Sequence, residues 1–393
     1  MSKRPKACAR CAFSTNSTTS RENSSSTASA VSSAASTSRS ARNSSPKKTR
    51  ASPLSAAGLR IVFLGTPQVA LPSLEGLIGS RHEVVAVVTQ PDRGRGRGRK
   101  PSPSPVGQRA LSAGIPLLRS EAVGDRETVE ALNELRPDLG VVVAFGQFIP
   151  KQVRTLPRLG YLINGHASLL PHYRGASPIA QAILDGQQYT GVSVMRVERA
   201  MDAGPVALAR SIKIGDTETT GELTLRLSNL AAELLLEAVE AIAEKTIQWT
   251  EQDHARASIA PKISRADGRI DWCLNTAECV RQVNAMAPKP GAFTPLAEAN
   301  AGELKILRAG FYSEAADQKP AKPPRPGDLR LADHDGAPPL RIGTADGWLV
   351  PLEVQRPGGK VMDPAAFLRG YPLGEGNLLG RTASHENKQG EQG

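Results

Sequence analysis

Amide, imidazole, hydroxyl and guanidinium groups crowd into one short segment, residues 164–179, with the sequence NGHASLLPHYRGASPI. The segment follows the apolar run Gly160–Asn164, so Asn164 and His166 fall at the carboxyl end of a predicted strand, where open α/β sheets bind ligands. Their spacing points both side chains the same way if the strand continues. An amide can donate to a developing oxyanion, and an imidazole can move protons. Asn164 and His166 are therefore candidate catalytic residues, with a structural role for His166 as the alternative.

A second polar segment, residues 190–205 (TGVSVMRVERAMDAGP), supplies a candidate carboxylate. A strand pattern from Val192 to Val197 leads into Asp202, which stands just before a Gly-Pro turn. An aspartate in this position is usually a turn residue. The alternative is a carboxylate brought beside His166 at the edge of the sheet, and both interpretations stay open at this point.

The elements that must position these residues alternate along the chain. Apolar runs and amphipathic helical patterns follow one another, which indicates an α/β fold with a doubly wound, mostly parallel, Rossmann-like sheet. Gly65-Thr66-Pro67 follows the first strand but lacks the G-x-G-x-x-G spacing, which argues against a nicotinamide or flavin oxidoreductase. The patterns predict strands over 59–64, 83–89, 139–144 and 160–164, and helices over 68–78, 126–135 and 219–244.

The composition of the sequence predicts that the chain is divided into five segments. Residues 1–58, dense in Ser and Arg, form a disordered tail, and 59–245 form the catalytic domain. Residues 246–262 are polar and aperiodic, as expected of a linker. Short β-prone runs broken by Pro and Gly over 263–373 predict a smaller β-barrel (OB-like) domain. Residues 374–393 are predicted to be a second disordered tail.

The net charge of +11 is unevenly distributed. Residues 1–58 hold ten of the lysines and arginines and one acid, Glu22, so they carry +9 and the rest of the chain carries +2. One local cluster stands out in the remainder: Arg93, Arg95, Arg97, Arg99 and Lys100, on a glycine-rich loop after the second predicted strand. Such a loop suits a phosphate backbone, and the alternative is a solvated flexible loop.

The amino-terminal tail and the cysteines bear on location. The tail is rich in Arg and Ser and poor in acids, as mitochondrial or plastid transit peptides are, although a dispensable bacterial extension or a misplaced start codon is the favoured interpretation. Four cysteines are too few for a disulfide framework, so we expect a cytoplasmic, reducing environment. Cys8 and Cys11 lack further ligands nearby, and no bound metal is expected. No apolar run is long enough for a membrane span.

Together, NGHASLLPHYRGASPI, TGVSVM and MDAGP resemble the folate-dependent formyltransferase family, with Gly165 where Val or Ile is usual and Tyr173 where Trp or Tyr is seen. The resemblance implies that Asn164 binds the formyl oxygen, that His166 stabilises charge and moves protons, and that Asp202 orients His166 or acts through a water. It also implies direct acyl transfer from 10-formyltetrahydrofolate through a tetrahedral intermediate. The family's folate-contacting segment corresponds to Ser168, Leu169, Leu170 and Pro171.

Within this family, the basic loop and the segments Gly268–Trp272 and Arg281–Pro288 resemble the tRNA formyltransferases. This resemblance implies formylation of the amino group of methionyl-initiator tRNA, and we expect the protein to be a monomer. The alternatives are a formyltransferase of an amino sugar or other small amine, a formyltetrahydrofolate hydrolase, and a nucleic-acid-binding module without catalysis. The residues expected to contact tRNA are Arg93, Arg95, Arg97, Arg99, Lys100 and Arg174.

Overall fold

A computed structural model describes residues 58–94, 101–296, 302–312, 324–332 and 336–373. The predictions of disorder for 1–57 and 374–393 lie outside the described residues, as do the Cys8–Cys11 pair and Arg95, Arg97, Arg99 and Lys100. No helix in the described ranges is sufficiently long and apolar to cross a membrane.

The described strands and helices follow each other in mixed order along the chain. The strands are β1 Arg60–Gly65, β2 Glu83–Thr89, β3 Arg93–Gly94, β4 Pro101–Ser102, β5 Leu117–Arg119, β6 Leu139–Val143, β7 Leu162–His166, β8 Arg174–Gly175, β9 Tyr189–Arg196, β10 Val206–Lys213, β11 Ile259–Ala260, β12 Ala292–Pro295, β13 Glu303–Phe311, β14 Leu329–Leu331, β15 Leu340–Gly343, β16 Trp348–Gln355 and β17 Val361–Met362. The helices are α1 Leu71–Ile78, α2 Pro105–Ser112, α3 Arg126–Glu134, α4 Lys151–Arg154, α5 Pro178–Leu184, α6 Thr220–Ala243, α7 Thr276–Met286 and α8 Pro364–Gly370.

The first sheet has seven strands in the order β10-β9-β7-β6-β1-β2-β5. Strands β5, β2, β1, β6 and β7 are parallel, and β9 and β10 add an antiparallel edge. The chain runs outward from β1 first through β2 and β5, then returns to place β6 and β7 on the other side. This reversal is the switch point at which open sheets bind ligands, and the predicted doubly wound fold is confirmed.

The central strands β1, β2 and β6 of this sheet are largely buried on both faces, which explains their unbroken apolar runs. Along β1, Ile61 and Phe63 pack into the core that contains α1 and α6, whereas Val62 and Leu64 pack into a separate cluster beneath α3 and α4. The alternation follows from the two-residue period of a strand.

Helix α6 closes one face of the sheet. It begins with a capping box, in which the Thr219 side chain accepts from the Glu222 amide while the Glu222 carboxylate accepts from the Thr219 amide. Every third or fourth residue from Leu223 to Leu234 is buried against the sheet. The prediction of a helix over 219–244 is therefore correct to within one residue at each end.

The carboxyl-terminal part holds an antiparallel sheet in the order β12-β13-β16-β15-β14, with β17 paired to β16. This confirms the change to antiparallel structure after the α/β part, while closure of the sheet into a barrel stays a prediction. Helix α7 packs on this sheet and also on α5 of the first part. The described residues all fall in one compact unit, and the five domain boundaries stay predictions.

The segment predicted to be a polar linker contains more structure than its composition indicates. Strand β11 pairs in parallel with β8, so that Ile259 lies opposite Arg174 and Ala260 lies opposite Gly175. The side chain of Gln252 is buried among the residues of the first part. A strand of two residues has no periodicity of its own, and its formation depends on the partner strand.

Candidate active site

Strand β7 carries Asn164 and His166 and reaches two residues beyond the predicted end of the strand at Asn164. Asn164 lies between Val142 of β6 and Met195 of β9. Its side chain is half-buried, and the side-chain amide group makes no hydrogen bond with any other described residue. The amide is therefore available to a ligand at the carboxyl edge of the sheet.

The His166 ring is buried between two oxygen atoms. Nε2 lies 2.9 Å from the carbonyl oxygen of Tyr173, and Nδ1 lies 3.7 Å from Oδ2 of Asp202. A carbonyl oxygen only accepts, so Nε2 carries a hydrogen and donates it. Nδ1 is then the nitrogen that can gain or lose a proton. Its distance from Asp202 is that of an ion pair rather than a direct hydrogen bond.

Asp202 sits in a turn whose backbone is tightly constrained. Its φ is 51°, a left-handed conformation that residues other than glycine seldom adopt. Oδ2 accepts a hydrogen bond of 2.8 Å from the Gly175 amide, which fixes the carboxylate beside His166. Two residues later, a Cβ on Gly204 would lie 2.1 Å from the carbonyl oxygen of Arg196, so only glycine allows this approach.

The predicted folate segment is a loop anchored at Ser168. The Ser168 hydroxyl is buried and donates to the His172 carbonyl at 2.6 Å. Ser193 of β9 donates its hydroxyl to the Ser168 carbonyl at 2.8 Å and accepts from the Leu170 amide at 3.0 Å. Ser168 thus shapes the loop from inside. Leu169, Leu170 and Pro171 remain partly exposed.

Arg174, one of the residues expected to contact tRNA, is hydrogen-bonded inside the chain. The residue is buried, and its guanidinium donates to Gln252 Oε1 from Nε at 3.2 Å and from Nη2 at 2.7 Å. Nη2 also lies 2.9 Å from His254 Nδ1. These bonds hold the guanidinium inside the chain and give Arg174 a structural role, and its expected contact with tRNA stays a prediction.

The base of the basic loop is a hairpin. Arg93 is exposed and lies opposite Ser102 across β3 and β4, and the other four cations lie outside the described residues. A polar cleft of about 440 Å³ opens beside Arg93. The cleft is lined by residues that follow β2, β5 and β6, namely Gln90, Pro91, Asp92, Arg93, Glu121, Gly146 and Gln147.

The structure thus gathers His166 and Asp202 in one place, with Asn164 on the same strand as His166. Sequence reasoning missed Tyr173 and Gly175 as contributors, because each supplies a backbone atom that residue type does not reveal. In the described residues, no group of three His, Cys, Asp or Glu side chains could hold a metal ion.

Comparisons with known proteins decide the family. The family model described as "Formyl transferase" matches residues 59–239, and that described as "Formyl transferase, C-terminal domain" matches residues 262–372. A protein of Roseiflexus castenholzii named methionyl-tRNA formyltransferase is 44% identical over 82% of this chain and 99% of its own length. The chain belongs to the methionyl-tRNA formyltransferase family. The resemblance inferred from the motifs is confirmed at this level.

Solved structures of formyltransferase-type proteins share the fold. HypX from Aquifex aeolicus, solved in complex with tetrahydrofolic acid, has a TM-score of 0.53 and 22% identity, covering 79% of this chain and 47% of its own. An N-formyltransferase from Helicobacter canadensis, solved in complex with folinic acid and dTDP-3-aminofucose, has a TM-score of 0.54 and 17% identity, covering 75% of this chain and 98% of its own. At these identities, the likeness concerns the fold alone.

Proposed function

We propose that this chain transfers the formyl group of 10-formyltetrahydrofolate to the free amino group of methionyl-initiator tRNA. The observation that carries the proposal is the pair formed by the buried His166 ring and the partly buried Asp202 carboxylate, 3.7 Å apart, on the same sheet edge as the unbonded side-chain amide of Asn164. The acceptor is inferred from the names of relatives such as that of R. castenholzii, which match this chain over nearly their whole length.

Asn164 has the position and chemistry to stabilise charge on the formyl oxygen. When the amine attacks the formyl carbon, the carbonyl oxygen becomes an oxyanion. An amide N–H aimed at that oxygen strengthens its hydrogen bond as the charge develops, and one such donor is typically worth a factor of about 100–1,000 in rate. Because the Asn164 amide is not committed elsewhere among the described residues, it needs no rearrangement to act.

In this proposal, His166 and Asp202 transfer the proton that leaves the amine. A bond forms between the amine nitrogen and the formyl carbon, the bond from that carbon to N10 of the folate breaks, and one proton moves from the amine to N10. We assign the transfer to His166 Nδ1, because Nε2 is held by the Tyr173 carbonyl. The carboxylate of Asp202 stabilises the imidazolium formed in passing, directly or through a water. No covalent acyl-enzyme is required.

The loop at Leu169–Pro171 suits a contact with the folate and the exclusion of water. Its apolar side chains are partly exposed while Ser168 and Ser193 fix its backbone from below. Excluding water matters because water would otherwise take the formyl group as free formate.

The hairpin formed by β3 and β4 is the proposed tRNA contact. Arg93 at its base is exposed, and the four cations that follow in the sequence give it the charge to bind a phosphate backbone. A cytoplasmic location and a monomeric state complete the proposal. The assigned substrate and the composition support the location.

The test is formyl transfer from labelled 10-formyltetrahydrofolate, with methionyl-initiator tRNA, amino sugars and glycinamide ribonucleotide offered in parallel. We expect label on the tRNA, a loss of about 100-fold or more in His166→Ala and in Asn164→Ala, and weaker tRNA binding when Arg95 and Arg97 are both changed to Ala. His172→Ala is the matched control, because the His172 side chain is exposed and only its carbonyl is used. Label on a small amine, or only free formate, would overturn the tRNA assignment.

A further inference from the structure

Gln252 lies in the segment predicted to be a linker, yet its amide is buried and fully bonded. Nε2 donates to the carbonyl oxygen of Asp202 at 2.9 Å and to that of Gly204 at 2.6 Å. Oε1 accepts twice from the Arg174 guanidinium. A glutamine amide can donate two hydrogen bonds and accept two, and all four are used here. Such complete use indicates a fixed part of the structure rather than a passing contact.

The partners of Gln252 lie next to both members of the catalytic pair. Asp202 is itself one of them. Arg174 is flanked by Tyr173, whose carbonyl accepts from His166 Nε2, and by Gly175, whose amide donates to Asp202 Oδ2. Gln252 therefore joins the two backbone segments that hold the ring of His166 and the carboxylate of Asp202.

Both segments have backbone conformations that need external support. Asp202 has a φ of 51° and Tyr173 a φ of 59°. Residues other than glycine keep such left-handed backbone conformations only where several contacts from the surrounding structure fix them. The same linker supplies further support, because the Tyr173 amide donates to Ser258 Oγ at 2.9 Å and the Arg174 amide donates to the Ser258 carbonyl at 2.9 Å.

We propose that Gln252 is a positioning residue that sets the separation of the His166 ring and the Asp202 carboxylate. The inference rests on the proposed function for its effect on turnover, and on the hydrogen bonds alone for its effect on geometry. It extends the active site into the chain segment between the two sheets. Gln252 touches neither substrate nor reacting atom, and it acts through the Asp202 turn and through Arg174.

Two variants separate positioning from bulk stability. Gln252→Ala removes all four hydrogen bonds. Gln252→Glu keeps the size and the acceptor toward Arg174, but it removes both donors and sets a charged oxygen against the carbonyls of Asp202 and Gly204. Glu251→Ala changes the exposed neighbour of Gln252 and is the matched control.

The kinetic readout is the division between kcat and KM in formyl transfer by the full chain. We expect kcat to fall by roughly 100-fold in both Gln252 variants, because a displacement of about 1 Å in a catalytic geometry has an effect of that size. The KM for the acceptor should be unchanged, since Gln252 makes no contact with the basic hairpin. Glu251→Ala should match the unaltered chain in both constants.

The second readout needs no acceptor, so it separates a failure of this inference from a failure of the proposed function. In ¹³C,¹⁵N-histidine-labelled protein, the ring signals of His166, assigned through His166→Asn, are recorded by NMR at one fixed pH. We expect these ring signals to shift in both Gln252 variants and to stay fixed in Glu251→Ala, because the ring lies between the Tyr173 carbonyl and the Asp202 carboxylate.

Unchanged ring signals of His166 and an unchanged kcat in Gln252→Glu would overturn the inference. An equal change in Glu251→Ala would overturn it as well, because the effect would then not be specific to the buried amide. Circular dichroism and thermal unfolding of each variant complete the test. If neither Gln252 variant folds, the residue is structural rather than positioning, and the inference is wrong.

Discussion

Residue 165 is a glycine, and side chains of helix α6 occupy the space that a larger residue would need. A Cβ there would lie 3.1 Å from Leu235 Cδ1, 3.4 Å from Leu235 Cγ and 3.7 Å from the Ala231 Cβ. Gly165 stands where Val or Ile is usual in the family, and in this chain Leu235 occupies the space that such a side chain would need. The consequence is a packing dependence between two residues directly behind Asn164 and His166.

We therefore expect Gly165→Val to destabilise the protein by about 1–3 kcal/mol, because overpacking forces side chains off their preferred rotamers. Adding Leu235→Ala should recover part of that loss, although Leu235→Ala alone is itself destabilising. Urea unfolding of the two single variants and the double variant measures the coupling. Strictly additive effects would show that the two side chains do not share this space.

The catalytic residues illustrate what the sequence can show at this scale. Asn164, His166 and Asp202 were predicted because amide, imidazole and carboxylate groups crowd the ends of predicted strands. The carbonyl of Tyr173 and the amide of Gly175 were not, because every residue carries these atoms and only the folded backbone aims them. The burial of Arg174 also depends on Gln252, a partner far along the chain.

Among the elements, α7 depends on a cap that the sequence encodes locally. Asn275 Oδ1 accepts from the Glu278 amide at 2.9 Å, and Glu278 Oε2 accepts from the Asn275 amide at 3.3 Å. Asn275→Ala should lower the free energy of unfolding by about 0.5–2 kcal/mol, the usual cost of losing an N-cap. Asn275→Asp keeps the acceptor and should stay close to the unaltered protein in thermal unfolding. Equal losses in both variants would mean that the cap bond contributes little.

Strand β1 and the end of α6 are joined through His82. The Leu59 amide donates to Nδ1 at 3.0 Å. Nε2 lies 3.1 Å from Glu240 Oε1, and the other oxygen of that carboxylate, Oε2, pairs with Arg81. Burial lowers the pKa of His82 below its usual value of 6.5, an effect that Glu240 opposes and Arg81 reinforces. Protonating Nδ1 would break its bond to the Leu59 amide.

The sign of the pH effect follows from this lowered pKa. As the pH falls below 6.5, His82 takes up a proton in the unfolded chain at a higher pH than it does in the folded chain. The free energy of unfolding therefore decreases until the pH is below the pKa of His82 in the folded chain. The slope from this one proton is at most about 1.4 kcal/mol per pH unit. In urea titrations between pH 7.5 and 5.5, His82→Gln should be less stable at the upper end but flatter in its pH dependence. Parallel curves for the two proteins would assign the pH dependence to other groups.

The elements also differ in how far the sequence determined them. Helix α6 was predicted to within a residue because its cap and its apolar stripe are local features. Strand β7 extends to His166 because its last residues pair with β9, which the local pattern does not encode. Strand β11 was missed for the same reason, since two residues become a strand only by lying against β8.

Across the whole molecule, one apolar cluster connects the two sheets. It contains Ile163 of β7, Leu223 of α6, Val283 of α7 and Ile306 of β13, so no water-filled boundary separates the two parts there. Polar contacts cross at the same place, where Thr220 Oγ1 donates to the Ala285 carbonyl at 2.7 Å. Arg308 of β13 also pairs with Glu222 of α6. Domains with separate cores unfold separately, whereas a shared core couples them.

We therefore expect residues 51–393 to unfold in a single urea transition, although they contain two sheets and match two family models. The chain has three tryptophans, which allows the parts to be followed separately. A variant that retains only Trp249 reports on the first part, and one that retains only Trp272, which is buried against the second sheet, reports on the other. The two midpoints should coincide.

Leu223→Ala, which removes a fully buried side chain from the shared cluster, should lower both midpoints together by an amount equivalent to about 2–5 kcal/mol. Separate midpoints, or a shift in only one of them, would mean that the contact between α6 and α7 does not couple the two parts.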